Sequence, residues 1–83
     1  MDRQAASKVL GSLLRNARTK KGLTQKEAAE IAGCSHTDYC RYETGRTLPE
    51  LERIYDLCKA LKLNPGKVLL TLAENENRVT SSK

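Results

Sequence analysis

The sequence contains no tryptophan and no phenylalanine, and its only aromatic residues are three tyrosines. Proteins that bind single-stranded nucleic acids stack the bases on several exposed aromatic side chains, so this composition argues against that mode of binding. Long hydrophobic runs are also missing: the longest apolar stretch near the C-terminus, residues 68–73, is far too short to span a bilayer. Near the N-terminus, Asp2, Arg3 and Lys8 interrupt any signal-peptide core. These absences predict a cytoplasmic protein that does not act at a membrane.

The residue patterns of common catalytic sites are missing as well. There is no Ser/His/Asp arrangement, no phosphate-binding loop and no pair of carboxylates beside a pocket, so we expect no enzyme, no cofactor and no small-molecule ligand. The three cysteines form no CxxC pair, which favours reduced thiols over a disulfide framework. Cys34, His36 and Cys40 lie close together in the sequence, but a fourth metal ligand is not evident. We expect no bound metal, and thiol or metal sensing through these three residues remains an alternative.

Charged residues are plentiful but unevenly distributed. The 83 residues carry a net charge of +5 at pH 7. Residues 1–47 contain nine basic and five acidic residues, a net of +4, whereas residues 48–83 contain six and five, a net of +1. This excess of positive charge in the first half of the sequence indicates a polyanionic binding partner. A chain this short forms one small domain with a modest core, which association with a second copy can supplement.

Hydrophobic periodicity and capping motifs predict an all-α fold, a compact domain of five short helices over residues 5–73. Apolar residues at helical spacing indicate a first helix over residues 5–20. Thr24 and Glu27 have the spacing of a capping box, which opens the second helix. Gly33 ends that helix, because a glycine readily takes the left-handed conformation that the turn requires.

Later start signals define the remaining three helices. Ser35 is the predicted N-cap of the third helix. Pro49 is placed in the first turn of the fourth helix, where its missing N–H costs nothing, and Asn64 caps the fifth helix. The polar segment 74–83 has nothing to bury and is predicted to be a flexible tail. The predicted buried stripe of the fourth helix consists of Leu51, Ile54, Tyr55, Cys58 and Leu61.

The second and third helices, joined by a turn that contains Gly33, match a helix-turn-helix unit. Ala29 supplies the small residue that such a unit needs where its two helices cross closely. Tyr39 and Tyr42 can anchor one side of the third helix in the core. The residues left on the outward side of that helix are His36, Thr37 and Arg41.

The segments 21–29, 33–35 and 39–46 resemble the phage repressor/Cro-type family, also called the xenobiotic-response-element family. Its most specific features are a threonine-glutamine helix opening, an alanine-to-glycine spacing, and a Glu-x-Gly-Arg close followed by proline. In this sequence these features are Thr24 and Gln25, Ala29 and Gly33, and Glu43, Gly45, Arg46 and Pro49. The resemblance covers roughly residues 8–72. It implies a sequence-specific regulator that binds double-stranded DNA, similar to Cro-like repressors and restriction–modification controller proteins.

The resemblance also implies roles for individual residues. His36, Thr37 and Arg41 occupy the positions that reach base edges in the major groove. Arg18 and Glu43 match the ion pair by which the family ties its first helix to the recognition helix. For Gln25, Arg46 and Thr47 the resemblance implies contacts to the DNA backbone. The basic cluster that contains Arg15 and Lys21 lies beside the helix-turn-helix, so we expect it to contact phosphates, with a plain solvated face as the alternative. Backbone contacts are expected from Lys26 and Ser35 as well.

Two positions depart from the family pattern. Position 28 is usually a large aliphatic residue in this family and is Ala28 here. A smaller side chain there leaves volume that Tyr39 or Tyr42 must fill, or a cavity remains. Asp38 places a carboxylate near the groove, where we expect it either to cap the third helix or to accept a hydrogen bond from a cytosine amine.

Apolar residues of the fifth helix exceed what one helix face needs, so we expect them to serve the core, a dimer interface, or both. These residues are Val68, Leu69, Leu70 and Leu72. A recognition helix of two or three turns reads only about four or five base pairs, which favours a homodimer on a palindromic operator. Repression is expected rather than activation. The alternative from another class is a protein-interaction module on the same fold.

Overall fold

The computed structural model describes the backbone of residues 2–81 and the side chains of residues 2–74. Over this part of the chain the fold is all-α, with five helices and no strand, as the sequence predicts. Helix α1 packs against α3 and α5, α2 packs against α3 and α4, and α4 packs against α5, so all five helices enclose one core. The helices are α1 Arg3–Lys20, α2 Gln25–Ala32, α3 His36–Glu43, α4 Leu51–Ala60 and α5 Pro65–Ser81.

Side-chain caps set where the first two helices begin. The Asp2 side chain accepts hydrogen bonds from the amides of Gln4 and Ala5, so α1 begins at residue 3, earlier than predicted. The predicted capping box of α2 is confirmed. The Thr24 hydroxyl accepts from the Glu27 amide at 3.0 Å, and the Glu27 carboxylate accepts from the Thr24 amide at 2.9 Å.

The turn between α2 and α3 has the geometry that the helix-turn-helix prediction requires. Gly33 has φ of 80°, in the left-handed region that favours glycine. Ser35 caps α3, because its hydroxyl accepts a hydrogen bond from the Asp38 amide at 3.0 Å. Tyr39 and Tyr42 are buried and anchor α3 in the core, as predicted.

Small residues allow α3 to approach its neighbours closely. Ala28 and Ala29 of α2 are both buried in the core that α3 shares. On α1, a Cβ atom added at Gly11 would collide with the carbonyl oxygen of Glu43 and lie 3.0 Å from that of Tyr42. The crossing of α1 and α3 therefore requires glycine at position 11.

Helix α4 differs from the prediction at its start and along its buried face. Its N-cap is Glu50, so Pro49 precedes the helix instead of lying in its first turn. Leu51 and Tyr55, predicted to be buried, are 66% and 51% exposed, whereas Leu57 is fully buried. The buried face differs from the predicted one because α4 packs against α2 and α5, and this packing determines which stripe of the helix faces the core. That stripe consists of residues 54, 57, 58 and 61.

The apolar residues of α5 divide between the core and the surface. Val68 and Leu72, which are four residues apart, share one face of the helix and are buried. Leu69 is half-buried against the core, and Leu70 is 57% exposed. Val68 and Leu72 therefore serve the core of the subunit and are not part of its surface, which corrects their assignment to a dimer interface.

Helix α5 continues to Ser81, through most of the segment predicted to be a tail. Residues 82 and 83 lie outside the described part of the chain, and the flexibility of segment 74–83 stays a prediction. None of the helices in the described residues is both long and apolar enough to cross a membrane.

Candidate nucleic-acid interface

The outward side of α3 carries the three residues predicted to contact bases. His36, Thr37 and Arg41 are all exposed and line a single open depression. No acidic residue lines this depression, and two arginines do. Its lining consists of His36, Thr37, Cys40, Arg41, Thr44 and Arg46. We call this depression the recognition surface.

Asp38 lies next to the recognition surface and pairs with one of its residues. Its Oδ1 atom is 3.9 Å from Nη1 of Arg41, and both side chains are about half exposed. Ser35 caps α3 as predicted, but among the described residues the Asp38 carboxylate accepts no hydrogen bond from the start of the helix, so the expectation that this carboxylate caps α3 is wrong. An exposed ion pair at this separation is weak, so Arg41 can leave Asp38 at little cost.

Glu43, the last residue of α3, is the centre of a buried hydrogen-bond network. Arg18 donates to it twice, from Nε to Oε2 at 2.8 Å and from Nη2 to Oε1 at 2.9 Å. The third nitrogen of Arg18, Nη1, donates to the carbonyl oxygen of Leu23 at 2.8 Å. Nε of Arg15 lies 3.4 Å from Oε1 of Glu43. The expected pair of Arg18 and Glu43 is thus present and connects α1 to α3.

The network keeps Glu43 ionised despite its burial. Burial is the largest single influence on the pKa of Glu43 and acts to raise it. Hydrogen bonds from Arg18 and Gln25, together with the charge of Arg18, act in the opposite direction and lower the pKa to about 2. The hydrogen bond with Glu43 in turn raises the pKa of Arg18. Both groups are therefore charged at neutral pH.

The hydroxyl of Tyr39 is buried in the same region. It lies near enough to Glu43 and Arg18 to affect their pKa values, but no described residue meets it at hydrogen-bond geometry. Burial raises the pKa of Tyr39, so the phenol stays neutral and contributes mainly its packed ring to the core.

Gln25, expected to contact a phosphate, also makes hydrogen bonds within the protein. Its Nε2 donates to Oε1 of Glu43 at 3.0 Å, and its Oε1 accepts from Sγ of Cys40 at 3.2 Å. An amide nitrogen carries two protons, so one N–H of Gln25 remains for a phosphate. No local pattern in the sequence indicates the bond from Cys40, because the two residues are 15 apart.

The residues expected to contact the DNA backbone do not all lie on one surface. Lys26, Ser35, Arg46 and Thr47 are exposed on α2, at the start of α3 and in the α3–α4 loop. Lys21 instead lines a depression near the C-terminal end of α1. The other residues of that depression are Leu13, Asn16, Ala17, Lys20, Leu61, Lys62 and Leu63, none of which belongs to the recognition surface.

The cysteines and histidine considered for sensing do not form a metal site. Within the described residues, no three His, Cys, Asp or Glu side chains are grouped so that they could hold a metal. Cys34 is half-buried against the core, and burial raises the pKa of its thiol. Cys58 is fully buried, which raises the pKa of its thiol as well. A raised pKa lowers the thiolate fraction and hence the reactivity of both residues.

Two short helices joined by a glycine turn, the second with a basic outer face, form the architecture of the helix-turn-helix class of DNA-binding domain. Residues 9–70 match the helix-turn-helix domain family. The HTH-type transcriptional activator BcrR of Enterococcus faecalis is 36% identical over 75 residues, which covers 84% of this chain and 37% of BcrR. The transcriptional repressor RstR of the cryptic phage CTXphi of Vibrio cholerae is 32% identical over 65 residues, which covers 78% of this chain and 58% of RstR.

A solved structure supports membership of the same family. The restriction–modification controller protein C.AhdI of Aeromonas hydrophila matches with a TM-score of 0.70 and 31% identity, covering 75% of this chain and 94% of that protein. The chain spans only 37% and 58% of the lengths of the two curated relatives. It belongs to the helix-turn-helix family of DNA-binding transcriptional regulators, of the Cro/C1 type.

Proposed function

We propose that the protein regulates transcription by binding a specific sequence in double-stranded DNA with α3 in the major groove. The observation that carries this proposal is the exposure of three polar side chains on one basic surface of α3. Arg41 can donate two hydrogen bonds to O6 and N7 of guanine. Thr37 offers a hydroxyl group and, for thymine, a methyl contact, and His36 can donate or accept.

Residues around the recognition surface position the protein by contacts to phosphates. Gln25 opens α2, so its free amide proton and the backbone amides of the first turn of α2 can bind the same phosphate. Lys21 is left out of this set. It lies with Lys62 near the C-terminal end of α1, in a depression that shares no residue with the recognition surface. The remaining backbone contacts come from Arg15, Lys26, Ser35, Arg46 and Thr47.

We further propose that two subunits bind a palindromic operator as a homodimer. An α3 of two turns reads about four or five base pairs, and a twofold pair of subunits doubles this site. Leu70 is exposed and Leu69 is half-buried on α5, so these two residues are the proposed apolar contact between subunits.

The proposed outcome of binding is repression. A dimer on an operator that overlaps a promoter blocks polymerase by occupancy alone, whereas activation also requires a surface that recruits polymerase. Of the two curated relatives, BcrR is named an activator and RstR a repressor. Transcription in vitro from a promoter that overlaps the selected site tests the direction, and an increase in transcript on adding the protein would contradict repression.

Selection from a pool of random duplexes tests the binding itself. We expect enrichment of a twofold-symmetric sequence, which the protein binds at lower concentration than random duplex. The control is a triple alanine variant at positions 36, 37 and 41, which keeps the phosphate-binding residues. It should lose the enrichment and retain weak binding at low salt, because phosphate contacts do not depend on sequence.

Two outcomes would argue against the proposal. If the wild-type protein enriches no sequence, it is not a sequence-specific DNA-binding protein, and an interaction module on the same fold explains it better. If it enriches one asymmetric site, the homodimer on a palindrome is wrong.

A further inference from the structure

A second group of basic residues lies beside the recognition surface, on the N-terminal half of α1. Arg3 and Lys8 line one depression together with Arg46 and Thr47 of the α3–α4 loop. Thr44 and Arg46 belong both to this depression and to the recognition surface, so the two surfaces are continuous. We call this depression the α1 surface.

The position of Lys8 follows from its contact with Gly45. Gly45 has φ of 77°, and a Cβ atom there would lie 3.0 Å from Cγ and 3.1 Å from Cα of Lys8. The aliphatic stem of Lys8 therefore packs on the turn that ends α3. From there Lys8 borders two depressions, the α1 surface and the one formed by Ser12, Arg15 and neighbouring residues.

The positive charge of the α1 surface is not neutralised within the described part of the protein. No salt bridge joins Arg3, Lys8 or Arg46 to an acidic side chain among the described residues. The carboxylate of Asp2 is nearby in sequence, but it caps α1 by accepting from two backbone amides and does not line the α1 surface. Three exposed cations and the hydroxyl of Thr47 thus face one open surface, which fits a polyanion.

We propose that Arg3 and Lys8 bind phosphates of the DNA that α3 reads, as a second backbone contact separate from that of Gln25 and Lys26 at the start of α2. This inference rests on the proposed function. A duplex seated on the recognition surface occupies the depression that Thr44 and Arg46 line, and these two residues also border the α1 surface. DNA is therefore the polyanion that reaches Lys8 without any further partner.

Helix α1 also supplies a matched control for this inference. Lys20 is an exposed lysine on the same helix, but it lines the depression that contains Leu61 and Lys62. That depression shares no residue with the recognition surface. Lys8→Gln and Lys20→Gln make the same change in charge on the same helix, so only their positions relative to α3 differ.

The experiment measures the affinity of each variant for duplex DNA as a function of salt concentration. For Lys8→Gln we expect a salt slope smaller in magnitude by about 0.9 for each bound subunit, since one phosphate contact is lost. Between about 50 and 200 mM salt this changes the ratio of wild-type to variant affinity by about 3-fold per subunit. Lys20→Gln should keep the wild-type slope, Lys8→Arg should restore it, and Arg3→Gln should reduce it further when combined with Lys8→Gln.

The decrease in affinity and in salt slope caused by Lys8→Gln should be the same for selected and random duplexes, because contacts to phosphates carry no base information. Thermal unfolding of each variant shows whether a change in slope arises from DNA contact or from loss of folded protein. If the wild-type protein binds no duplex, the proposed function fails, and this inference fails with it. If the wild-type protein binds and the slopes of Lys8→Gln and Lys20→Gln agree, the α1 surface does not contact DNA and only this inference is overturned.

Discussion

Glu43 serves both the fold and the proposed interface through the same carboxylate. It accepts from Arg18, which connects α1 to α3, and from Gln25, which is proposed to bind a phosphate. The resemblance to the Cro-type family implied the first contact, because both residues match positions of the family. The second contact joins residues 18 apart on different helices, and no local pattern in the sequence indicates it. Loss of charge at Glu43 should therefore affect stability and also release the amide of Gln25.

The lowered pKa of Glu43 predicts how stability depends on pH. Its ordinary value is 4.5, and in the folded protein it is about 2. Protonation is thus harder in the folded state, so the stability that the charge provides is complete above about pH 5 and is lost as the pH falls from 4.5 towards 2. The loss over this window should be on the order of 3 kcal/mol.

Urea denaturation between pH 7 and pH 2 measures this contribution. The variant Glu43→Gln should be less stable than wild type at neutral pH and should show a flatter profile in the acid window. Glu30→Gln, which changes an exposed carboxylate on α2, is the control and should keep the wild-type profile. Parallel profiles for wild type and Glu43→Gln would show that the network does not hold this carboxylate ionised.

Arg41 and Gln25 should differ in what they contribute to binding. Arg41→Ala should cost about 1–3 kcal/mol on the selected site and relax the preference at one base pair per half-site. Gln25→Ala should weaken binding to all sequences more evenly, because its contact is to a phosphate. Titrations of both variants on selected and random duplexes check this. An equal loss on both duplexes for Arg41→Ala would mean that Arg41 does not read a base.

At the scale of the helix, prediction from sequence succeeds where the signal is local. The capping box of Thr24 and Glu27 and the left-handed Gly33 fix the bounds of α2 by contacts within a few residues. The buried face of α4 was predicted less well, since helical spacing allows a stripe through Leu51 and Tyr55 as well as one through Leu57. Packing against α2 and α5 selects the second stripe, and that choice depends on residues distant in the sequence.

The crossing of α1 and α3 gives a prediction at the same scale. Gly11→Ala should destabilise the protein by about 1–3 kcal/mol, because the added methyl group has no room beside the backbone of Glu43. Helix propensity alone would predict the opposite change in stability, since it favours alanine over glycine by about 1 kcal/mol. Urea denaturation should show no loss of stability for the neighbouring variant Ser12→Ala, at an exposed position. A stabilised Gly11→Ala variant would mean that the helices separate easily at this crossing.

At the scale of the whole molecule, the basic half of the sequence divides between two surfaces. Composition placed a net charge of +4 in residues 1–47 and could not divide it further. Helix α1 has 18 residues, so at 1.5 Å per residue it is about 27 Å long. Lys8 and Lys20 therefore face different neighbours, and only Lys8 lies beside α3. The candidate interface thus includes the N-terminal half of α1, which the clustering of Arg15, Arg18, Lys20 and Lys21 in the sequence did not indicate.

Two exposed leucines, one on α5 and one on α4, allow a matched test of the proposed homodimer. Leu70→Glu on α5 should yield a folded monomer, because position 70 is 57% exposed and a charge there disrupts only the proposed contact between subunits. Leu51→Glu places the same charge at a 66% exposed leucine of α4 and should leave the dimer intact. Leu72→Glu should unfold the protein, since Leu72 is buried in the core of the subunit.

Sedimentation at micromolar concentration and titration of DNA distinguish these variants. The wild-type dimer should bind a palindrome whose half-site centres lie about 34 Å, or one helical turn, apart, with a steep dependence on protein concentration. Leu70→Glu should bind a single half-site weakly and gain nothing from the second half-site. If Leu51→Glu dissociates the dimer and Leu70→Glu does not, the subunits meet through α4, where Leu51 and Tyr55 are exposed. A wild-type monomer that binds one half-site as tightly as the palindrome would refute the homodimer, because the second half-site would then add nothing to binding. Recognition of about five base pairs would have to suffice on its own.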